Sequence, residues 1–405
     1  MRRRTTVALG AGLLTVYLGL PYLLAQRLGL GLVREGRQQR RELALTFDDG
    51  PDPATTPAVL DALADAGVHA TFFVTLPRAE ARPDLLRRIL AEGHEAFPHA
   101  VKHRHAWIRT PWSAALEPVR AARRLAELTG RPARYYRPPH GSYTLATLLG
   151  MRWAGVVGAH WSVESGDWQP GATPERTLGR LLARVYPGAV VVLHDAGAGA
   201  RVTVPMLPEL LRRLREREYA PVRLSELEGA EPLTLRGLPR RLVGLLDPLY
   251  DWVGGNRPID GRRDTMYRAG ALPFPMPDLT LHDGVLLKRG AKAIEFHANN
   301  PLMVDIGMRQ MIRRSRQDFR LLARDIRADP DWRDAEAVFC ISALRAMLAA
   351  LHFETHPVPA SARRRLRLWS TVLRLAYRTP ILNEPKPVIS ALSMAAFMKR
   401  YGGEE

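Results

Sequence analysis

The chain contains 405 residues, which is enough for two domains or for one large domain with an appendage. Its formal net charge of +18 favours anionic partners, but the sequence has no zinc-finger cysteine spacing and no glycine-aromatic RNA-binding signature, so we expect no nucleic-acid partner. The single cysteine, Cys340, excludes an intramolecular disulfide and a cysteine-based metal cluster within one chain.

The first predicted element is an apolar helix near the N-terminus. Arginines at positions 2–4 precede an uncharged run over residues 5–25, whose 21 residues are about the length that spans a bilayer core. No clear small-x-small cleavage site follows, so the run predicts an uncleaved transmembrane signal anchor, continued by a basic juxtamembrane stretch to Arg41. This interpretation anchors the chain in the membrane, with the following domain outside the cytoplasm; secretion after signal cleavage is the alternative. Arginines on both sides of the run leave its orientation open.

Between residues 43 and 224, strand-like and helix-like segments alternate. We predict strands at 43–47, 70–75, 135–137, 155–161, 189–193 and 221–224, and helices at 55–66, 83–92, 111–129, 173–185 and 206–217. This alternation indicates an α/β domain in which parallel strands are covered by helices. A barrel-like closure of these units would place the functional site at the carboxyl ends of the strands.

The pattern changes after a linker near residues 228–239. Strands are predicted at 285–287 and 293–296, and the chain from 308 to 405 is predicted to be mostly helical, with Cys340 buried in an apolar helical stretch over 337–351. The helix over 308–327 carries an apolar stripe and many arginines. We interpret it as a solvated face over a core, with a surface for anionic polymers or lipid headgroups as the alternative. This part of the sequence shows no hydrolytic motif.

Residues 46–51 carry the strongest chemical signal in the α/β part. Asp48 and Asp49 follow an apolar strand directly and precede a Gly-Pro turn. Two like charges this close cannot both remain ionised without compensation. A bound cation would supply it by taking one carboxylate as a ligand and leaving the other as a proton acceptor. The segment therefore indicates metal-assisted hydrolysis, with a solvated turn as the alternative.

Four further polar clusters follow in chain order. They are His99-Ala100-Val101-Lys102-His103, Arg137-Pro138-Pro139-His140-Gly141, residues 161–168, which end in Asp167 and Trp168, and His194-Asp195. A spacing of four would place His99 and His103 on one face of a helical turn, where both could grip one metal ion. The paired prolines would hold Arg137 rigidly and suit it to orienting a carboxylate. Each cluster alone also has a purely structural explanation.

In this order and spacing, the five clusters resemble the motifs of the polysaccharide deacetylases of the NodB-homology type, the family-four carbohydrate esterases, over residues 42–228. The resemblance implies a distorted (β/α)7 barrel. It also implies Asp48 as catalytic base, Asp49, His99 and His103 as metal ligands, Arg137 as the residue that holds the base, Asp167 as the partner of the catalytic histidine, and His194 as general acid. Substrate-binding roles are implied for Trp168, Leu193, Pro138 and Pro139.

The implied reaction is metal-dependent hydrolysis of N-acetyl groups from an amino-sugar polymer, which releases acetate. One carboxylate and two imidazoles suit zinc best, with cobalt, nickel or manganese as alternatives. A non-catalytic glycan-binding module on the same barrel and a deacylase of another amide or ester are the alternative functions. Peptidoglycan, chitin-like oligomers and exopolysaccharide are all open as the N-acetylated partner.

Two positions depart from the family pattern. Ala100 stands where the family usually has Ser or Thr after the first metal histidine, and Glu164 stands where it often has Asp. We expect the first change to remove a hydroxyl that supports the loop, and the second to alter substrate contacts or loop geometry. Neither change removes a catalytic group.

These interpretations divide the chain into an anchor and juxtamembrane stretch over 1–41, a deacetylase domain over 42–228, and an α+β, mostly helical accessory domain over 229–405. Within the accessory domain, Leu281-His282-Asp283-Gly284-Val285 and residues 295–300 resemble a YkoP-like domain. That resemblance implies no known chemistry.

Overall fold

The computed structural model describes residues 12–244, 251, 255–303, 306–360, 362 and 387–403. The chain divides into two compact units, one ending at Leu238 and the other beginning at Pro239. The predicted anchor residues 5–11 and the predicted helical stretch over 363–386 lie outside the described residues.

The first unit is built around parallel strands. They are β1 (Leu32–Val33), β2 (Glu42–Asp48), β3 (Thr71–Thr75), β4 (Glu95–Ala100), β5 (Tyr135–Tyr136), β6 (Val157–Ala159), β7 (Val163–Glu164), β8 (Val190–His194) and β9 (Ala220–Val222). One sheet has the order β4-β3-β2-β8-β7, with β9 paired to β2, and a second sheet has the order β1-β6-β5.

The two sheets follow one another around a ring. The backbone N–H of Arg137, just after β5, donates to the carbonyl of Pro98 in β4 at 3.3 Å. From β6 the chain continues directly into β7, which pairs with β8, and β8 pairs with β2. The ladder of hydrogen bonds is therefore broken at two places, and the ring is distorted.

Helices connect the strands and cover them. Their bounds are Thr56–Ala66, Leu76–Ala81, Pro83–Ala91, Pro111–Thr129, Leu145–Ala154, Pro174–Arg184 and Gly197–Glu216. Three of them begin with a threonine hydroxyl that accepts a backbone N–H of the first turn, at Thr110, Thr144 and Thr173. Apolar residues of the strands and of the helix faces form one buried cluster, in which the rings of Phe47 and Phe72 stack at 5.1 Å. The predicted α/β alternation is confirmed.

Of the strands and helices of the first unit given above, five were not predicted: β1, β4, β7 and the helices Leu76–Ala81 and Leu145–Ala154. Two of them show why. Strand β4 contains Glu95, Pro98 and His99, so it lacks both the apolar run and the alternation that mark a strand. The helix Leu145–Ala154 has apolar residues on most of its surface rather than on one stripe, and Leu145, Leu149 and Trp153 are exposed.

The predicted transmembrane helix over residues 5–25, and with it the membrane-anchored location, is wrong. Within the described part of that run, two π-helical segments, Thr15–Gly19 and Pro21–Arg27, follow one another. No described helix is both long enough and apolar enough to cross a membrane. The apolar side chains of this run are explained in part by packing within the protein. Pro21 and Ala25 are buried, and Tyr17 packs against Ala114 and its neighbours in the first unit.

The second unit contains a mixed sheet with helices. Its strands are β10 (Arg257–Pro258), β11 (Tyr267–Pro273), β12 (Leu279–Thr280), β13 (Leu286–Leu287), β14 (Lys292–Ala298), β15 (Ala337–Ser342), β16 (Glu354–Pro357) and β17 (Val388–Ser393). The sheet order is β10-β11-β14-β15-β17-β16, and β12 and β13 form a separate pair. Helices span Asn300–Met303, Met308–Ala328, Arg345–Ala350 and Met394–Tyr401.

The prediction of a mostly helical second unit is therefore wrong for the described residues. Cys340 is buried as predicted but lies in β15, not in a helix. β15 has neighbours on both sides and is apolar from Ala337 to Ile341, and a short apolar run of this kind does not distinguish a buried strand from a buried helix. The long helix Met308–Ala328 is confirmed, and its own side chains Phe319 and Leu322 are fully buried.

Candidate active site

The predicted site residues meet at the carboxyl ends of the parallel strands. Asp48 ends β2 and His194 ends β8, and the two residues are register partners across that strand pair. His99 lies at the end of β4, which is separated from β2 only by β3. Since parallel strands all end at the same edge, chain segments far apart in sequence deliver their polar side chains to one place.

Asp49, His99 and His103 form a group with the geometry of a metal site. The Nε2 atom of His103 lies 2.9 Å from Asp49 Oδ1, and the Nε2 atom of His99 lies 3.3 Å from it. The ligand atoms of the three residues all lie within 4.8 Å of one another. Asp49 Oδ1 is buried, and its contacts with the two imidazoles lack the geometry of a hydrogen bond, so the donor set fits a divalent cation.

The charge on Asp49 also suits a ligand role. Burial raises the pKa of Asp49, but its contacts with His103 and His99 more than offset this and hold that pKa well below its usual value. A metal-binding carboxylate must be ionised, and this one is. Asp49 adopts a φ of 80°, in the left-handed region that few non-glycine residues occupy.

The expectation that the two histidines share a helical turn is wrong. His99 is in β4, whereas His103 is in the irregular loop that follows. Glu117 holds this loop, because its Oε1 accepts the backbone N–H groups of Val101 and Lys102 at 2.9 Å each. Arg109 pairs with the same carboxylate at 2.8 Å, and both side chains are nearly buried. The loop thus has a support that does not require a hydroxyl at Ala100.

Asp48 is held by Arg137. The Nη1 atom of Arg137 donates to Asp48 Oδ1 at 2.7 Å, and Arg137 is 0% and Asp48 3% exposed. Arg137 Nη1 also donates to the hydroxyl of Thr46 at 2.8 Å, and the guanidinium lies 4.0 Å from the ring centroid of Phe73. These contacts fix the guanidinium, which in turn fixes one oxygen of Asp48.

His194 is oriented by Asp167. The Nδ1 atom of His194 lies 2.8 Å from Asp167 Oδ1, while Asp167 Oδ2 accepts the backbone N–H of His194 at 2.9 Å and the hydroxyl of Thr203 at 2.7 Å. Burial lowers the pKa of His194, but the hydrogen bond and the charge of Asp167, aided by Asp48 and Asp49, raise it to about 9. The imidazole is therefore protonated at neutral pH, and Nε2 is the ring nitrogen left available.

Asp195, which sequence reasoning did not single out as a site residue, joins the segment after β2 to the segment after β8. Its Oδ1 accepts the backbone N–H of Gly50 at 3.0 Å, and its Oδ2 accepts the hydroxyl of Thr56 at 2.6 Å. Burial raises the pKa of Asp195, and the two hydrogen bonds lower it. Burial has the larger effect, so the pKa is raised to about 7. A Cβ atom at Gly50 would lie 2.0 Å from Asp195 Oδ2, so this contact requires glycine.

The four residues expected to bind substrate differ in their exposure to solvent. Trp168 is 49% exposed, next to Asp167. Pro138 and Pro139 are buried. Leu193 is 0% exposed and belongs to the hydrophobic core of the first unit. Of this set, Trp168 has the most open surface for a ligand.

The site combines a candidate metal-ligand triad with a carboxylate and an imidazole at the carboxyl ends of parallel strands. This combination is typical of a metal-dependent hydrolase built on parallel strands covered by helices. Comparison with known proteins agrees with this class. The family model for polysaccharide deacetylase matches residues 35–159. A chitooligosaccharide deacetylase of Bradyrhizobium is 40% identical over 157 residues, covering 38% of this chain and 71% of that protein. The chain belongs to the polysaccharide deacetylase family.

Two further similarities and a second family match are found. A peptidoglycan-N-acetylglucosamine deacetylase of Bacillus cereus is 33% identical over 188 residues, covering 46% of this chain and 87% of that protein. The crystal structure of the Bc1960 peptidoglycan N-acetylglucosamine deacetylase is similar over 50% of this chain and 95% of that one, with 27% identity and a TM-score of 0.47. The family model for the YkoP domain matches residues 237–401, which confirms the second resemblance.

Proposed function

We propose that this chain removes acetyl groups from an N-acetylated glucosamine polymer or oligomer by metal-dependent hydrolysis. The observation that supports this most is the arrangement around Asp49, where a metal-ligand triad lies beside Asp48, the register partner of His194. Relatives named for chitooligosaccharide and peptidoglycan deacetylation support the substrate class.

Asp49, His99 and His103 would hold the cation. When bound, it would polarise the acetamide carbonyl and make a nearby water more acidic. Zinc is the ion we favour, because two imidazoles and one carboxylate that leave further positions open are the usual set of a catalytic zinc site.

Asp48 is the general base in this proposal. Arg137 occupies its Oδ1 atom, so Oδ2 is left to accept a proton from the attacking water. The guanidinium keeps the carboxylate in one orientation and balances its charge where both side chains are nearly inaccessible to solvent. Arg137 therefore acts through Asp48 and is a positioning residue.

His194 is the general acid. Its high pKa keeps a proton on Nε2, and that proton goes to the amine nitrogen as the C–N bond breaks. The water oxygen forms the new bond to the carbonyl carbon, so the products are acetate and a free amino sugar. Asp167 holds Nδ1 and thereby selects the orientation of the ring.

The test uses the full chain, stripped with a chelator and reloaded separately with zinc, cobalt, nickel or manganese. Acetate and free amines are measured with N-acetylglucosamine oligomers, peptidoglycan and an exopolysaccharide. We expect turnover with one or more of the ions and no turnover in Asp48→Asn. The control variant Asp65→Asn, which changes an exposed aspartate of the helix Thr56–Ala66, should remain active. Glycan binding without acetate from any polymer would instead indicate a non-catalytic module, and acetate from other amides or esters alone would indicate a different deacylase.

A further inference from the structure

A row of aromatic and imidazole rings extends away from the metal-ligand triad along the surface. It runs from His103 to His140, His105, Trp107 and Tyr22, and we call these residues the ring row. The successive ring centroids are 4.9, 5.4, 5.1 and 5.8 Å apart. The planes of His140 and His105 are nearly parallel, at 18°, and the other pairs meet edge to face. The row therefore begins at a metal ligand and ends well outside the site.

Most of the ring row is open to solvent. His103 and His140 are exposed, Trp107 is 41% and Tyr22 38% exposed, and His105 is half-buried. Exposed aromatic and imidazole rings that contact one another provide a surface on which a ligand can pack.

The row is held by specific contacts rather than by loose loops. Ser142 is fully buried, and its hydroxyl accepts the backbone N–H of Ala106 and donates to the carbonyl of Pro139, both at 3.0 Å. This one side chain thus joins the turn that carries His140 to the turn that carries Trp107. The Nδ1 atom of His105 accepts the backbone N–H of Trp107 at 3.3 Å and so fixes the tautomer of that ring.

The backbone of His140 has an uncommon conformation. Its φ of 58° lies in the left-handed region, where a histidine is uncommon, and it presents the imidazole between His103 and His105. Non-glycine residues in this conformation cost free energy and are concentrated at binding and catalytic sites.

We propose that His140, His105 and Trp107 form a subsite for the sugar units next to the one that is deacetylated. This inference rests on the proposed function. The flat faces of the rings would pack against the apolar faces of pyranose rings, while ring N–H groups at their edges donate to sugar hydroxyls. Because the row is continuous with the metal-ligand triad, the ligand that fits it is the remainder of the same glycan chain.

The test measures how acetate release depends on oligomer length in the metal-loaded full chain. For Trp107→Ala we expect kcat/KM to fall about three- to tenfold on long N-acetylglucosamine oligomers, the size of one lost aromatic contact, and to change little on the shortest substrate. Trp107→Phe should keep most of the wild-type preference. The matched control is Trp153→Ala, which removes a tryptophan that is 59% exposed and lies outside the ring row.

Two results would overturn the subsite. One is an unchanged length dependence in Trp107→Ala while the wild type remains active, which would leave the proposed function standing. The other is a concentration-dependent dimer, seen by light scattering, that Trp107→Ala abolishes, because a second copy of the chain would then cover the row. Absence of turnover by the wild type on every oligomer would instead count against the proposed function. Direct titration of Asp48→Asn with long oligomers, with and without Trp107→Ala, then tests the subsite by binding alone, and equal affinities would reject it.

Discussion

Arg137 and Asp48 form an ion pair that is almost completely buried. The variant Arg137→Met tests how much of the protein's stability depends on the cation that compensates the buried carboxylate. The substitution leaves a carboxylate that is 3% exposed without its cation. Within the described chain, no other side chain donates a hydrogen bond to Asp48. Removing one member of a buried pair typically costs about 3–5 kcal/mol of unfolding free energy, because the remaining charge is uncompensated.

A second substitution separates the charge from the packing. Asp48→Asn removes the uncompensated charge, so the double variant Arg137→Met/Asp48→Asn should be more stable than Arg137→Met alone. Coupling between residues in contact is usually about 0.5–3 kcal/mol, and we expect a recovery toward the upper end of that range. Both variants should lack deacetylase activity, since each has lost either the base or the residue that positions it.

Stability is best measured by amide hydrogen exchange on peptides from β2 and β8, in the presence of a chelator. Those peptides belong to the first unit, so the second unit does not contribute to the signal. Strictly additive losses in the double variant would refute the reasoning. The cost of Arg137→Met would then come from its lost contacts with Phe73 and Thr46, and the buried charge would be unimportant.

Three further predictions concern the metal, the pH profile and Asp195. Chelation should abolish acetate release, and His99→Ala should reduce bound zinc as measured by elemental analysis; a chain that keeps full activity without metal would contradict the ligand assignment. Since the pKa of His194 is raised to about 9, its charge stabilises the fold fully below the ordinary value of 6.5, and both that stability and the acid function are lost as pH rises through 9. Asp167→Asn should shift the alkaline limb of the activity profile to lower pH, and an unmoved limb would exclude His194 as the group responsible. Asp195→Ala leaves the buried N–H of Gly50 without its acceptor, which costs about 1–3 kcal/mol, and should weaken zinc binding by up to about a hundredfold; Asp195→Asn, which keeps an oxygen acceptor, should bind zinc more tightly than Asp195→Ala.

Much of the site could be predicted because its residues follow recognisable strands. Asp48 and His194 each end a run of apolar residues, and parallel strands bring such ends together. Adjacent carboxylates and a pair of histidines already indicate a metal site by their chemistry. Arg137 and Asp167 carry less local signal, and their roles came from the resemblance to a family.

The supporting contacts could not be predicted, because their partners are distant in sequence. Asp195 binds the N–H of Gly50, which lies 145 positions earlier, and the pattern around either residue gives no indication of the other. Glu117 is on a helix whose sequence looks amphipathic, yet its carboxylate holds the loop between His99 and His103. These carboxylates accept hydrogen bonds from backbone N–H groups that come near them only when the chain has folded.

Asp48 and Asp49 are adjacent in sequence, and the negative charge of each is compensated by a different neighbour. The sequence suggests that one cation must compensate both groups, but the structure gives each its own neighbour. Asp48 has a permanent guanidinium at 2.7 Å, whereas Asp49 faces two imidazoles that suit a metal ion. Arg137 is part of the chain itself, so Asp48 keeps this cationic partner whether or not a metal ion is bound. Metal removal should therefore abolish activity while leaving the pairing of Asp48 with Arg137 intact, and the hydrogen-exchange protection of β2 should fall far less on chelation than in Arg137→Met.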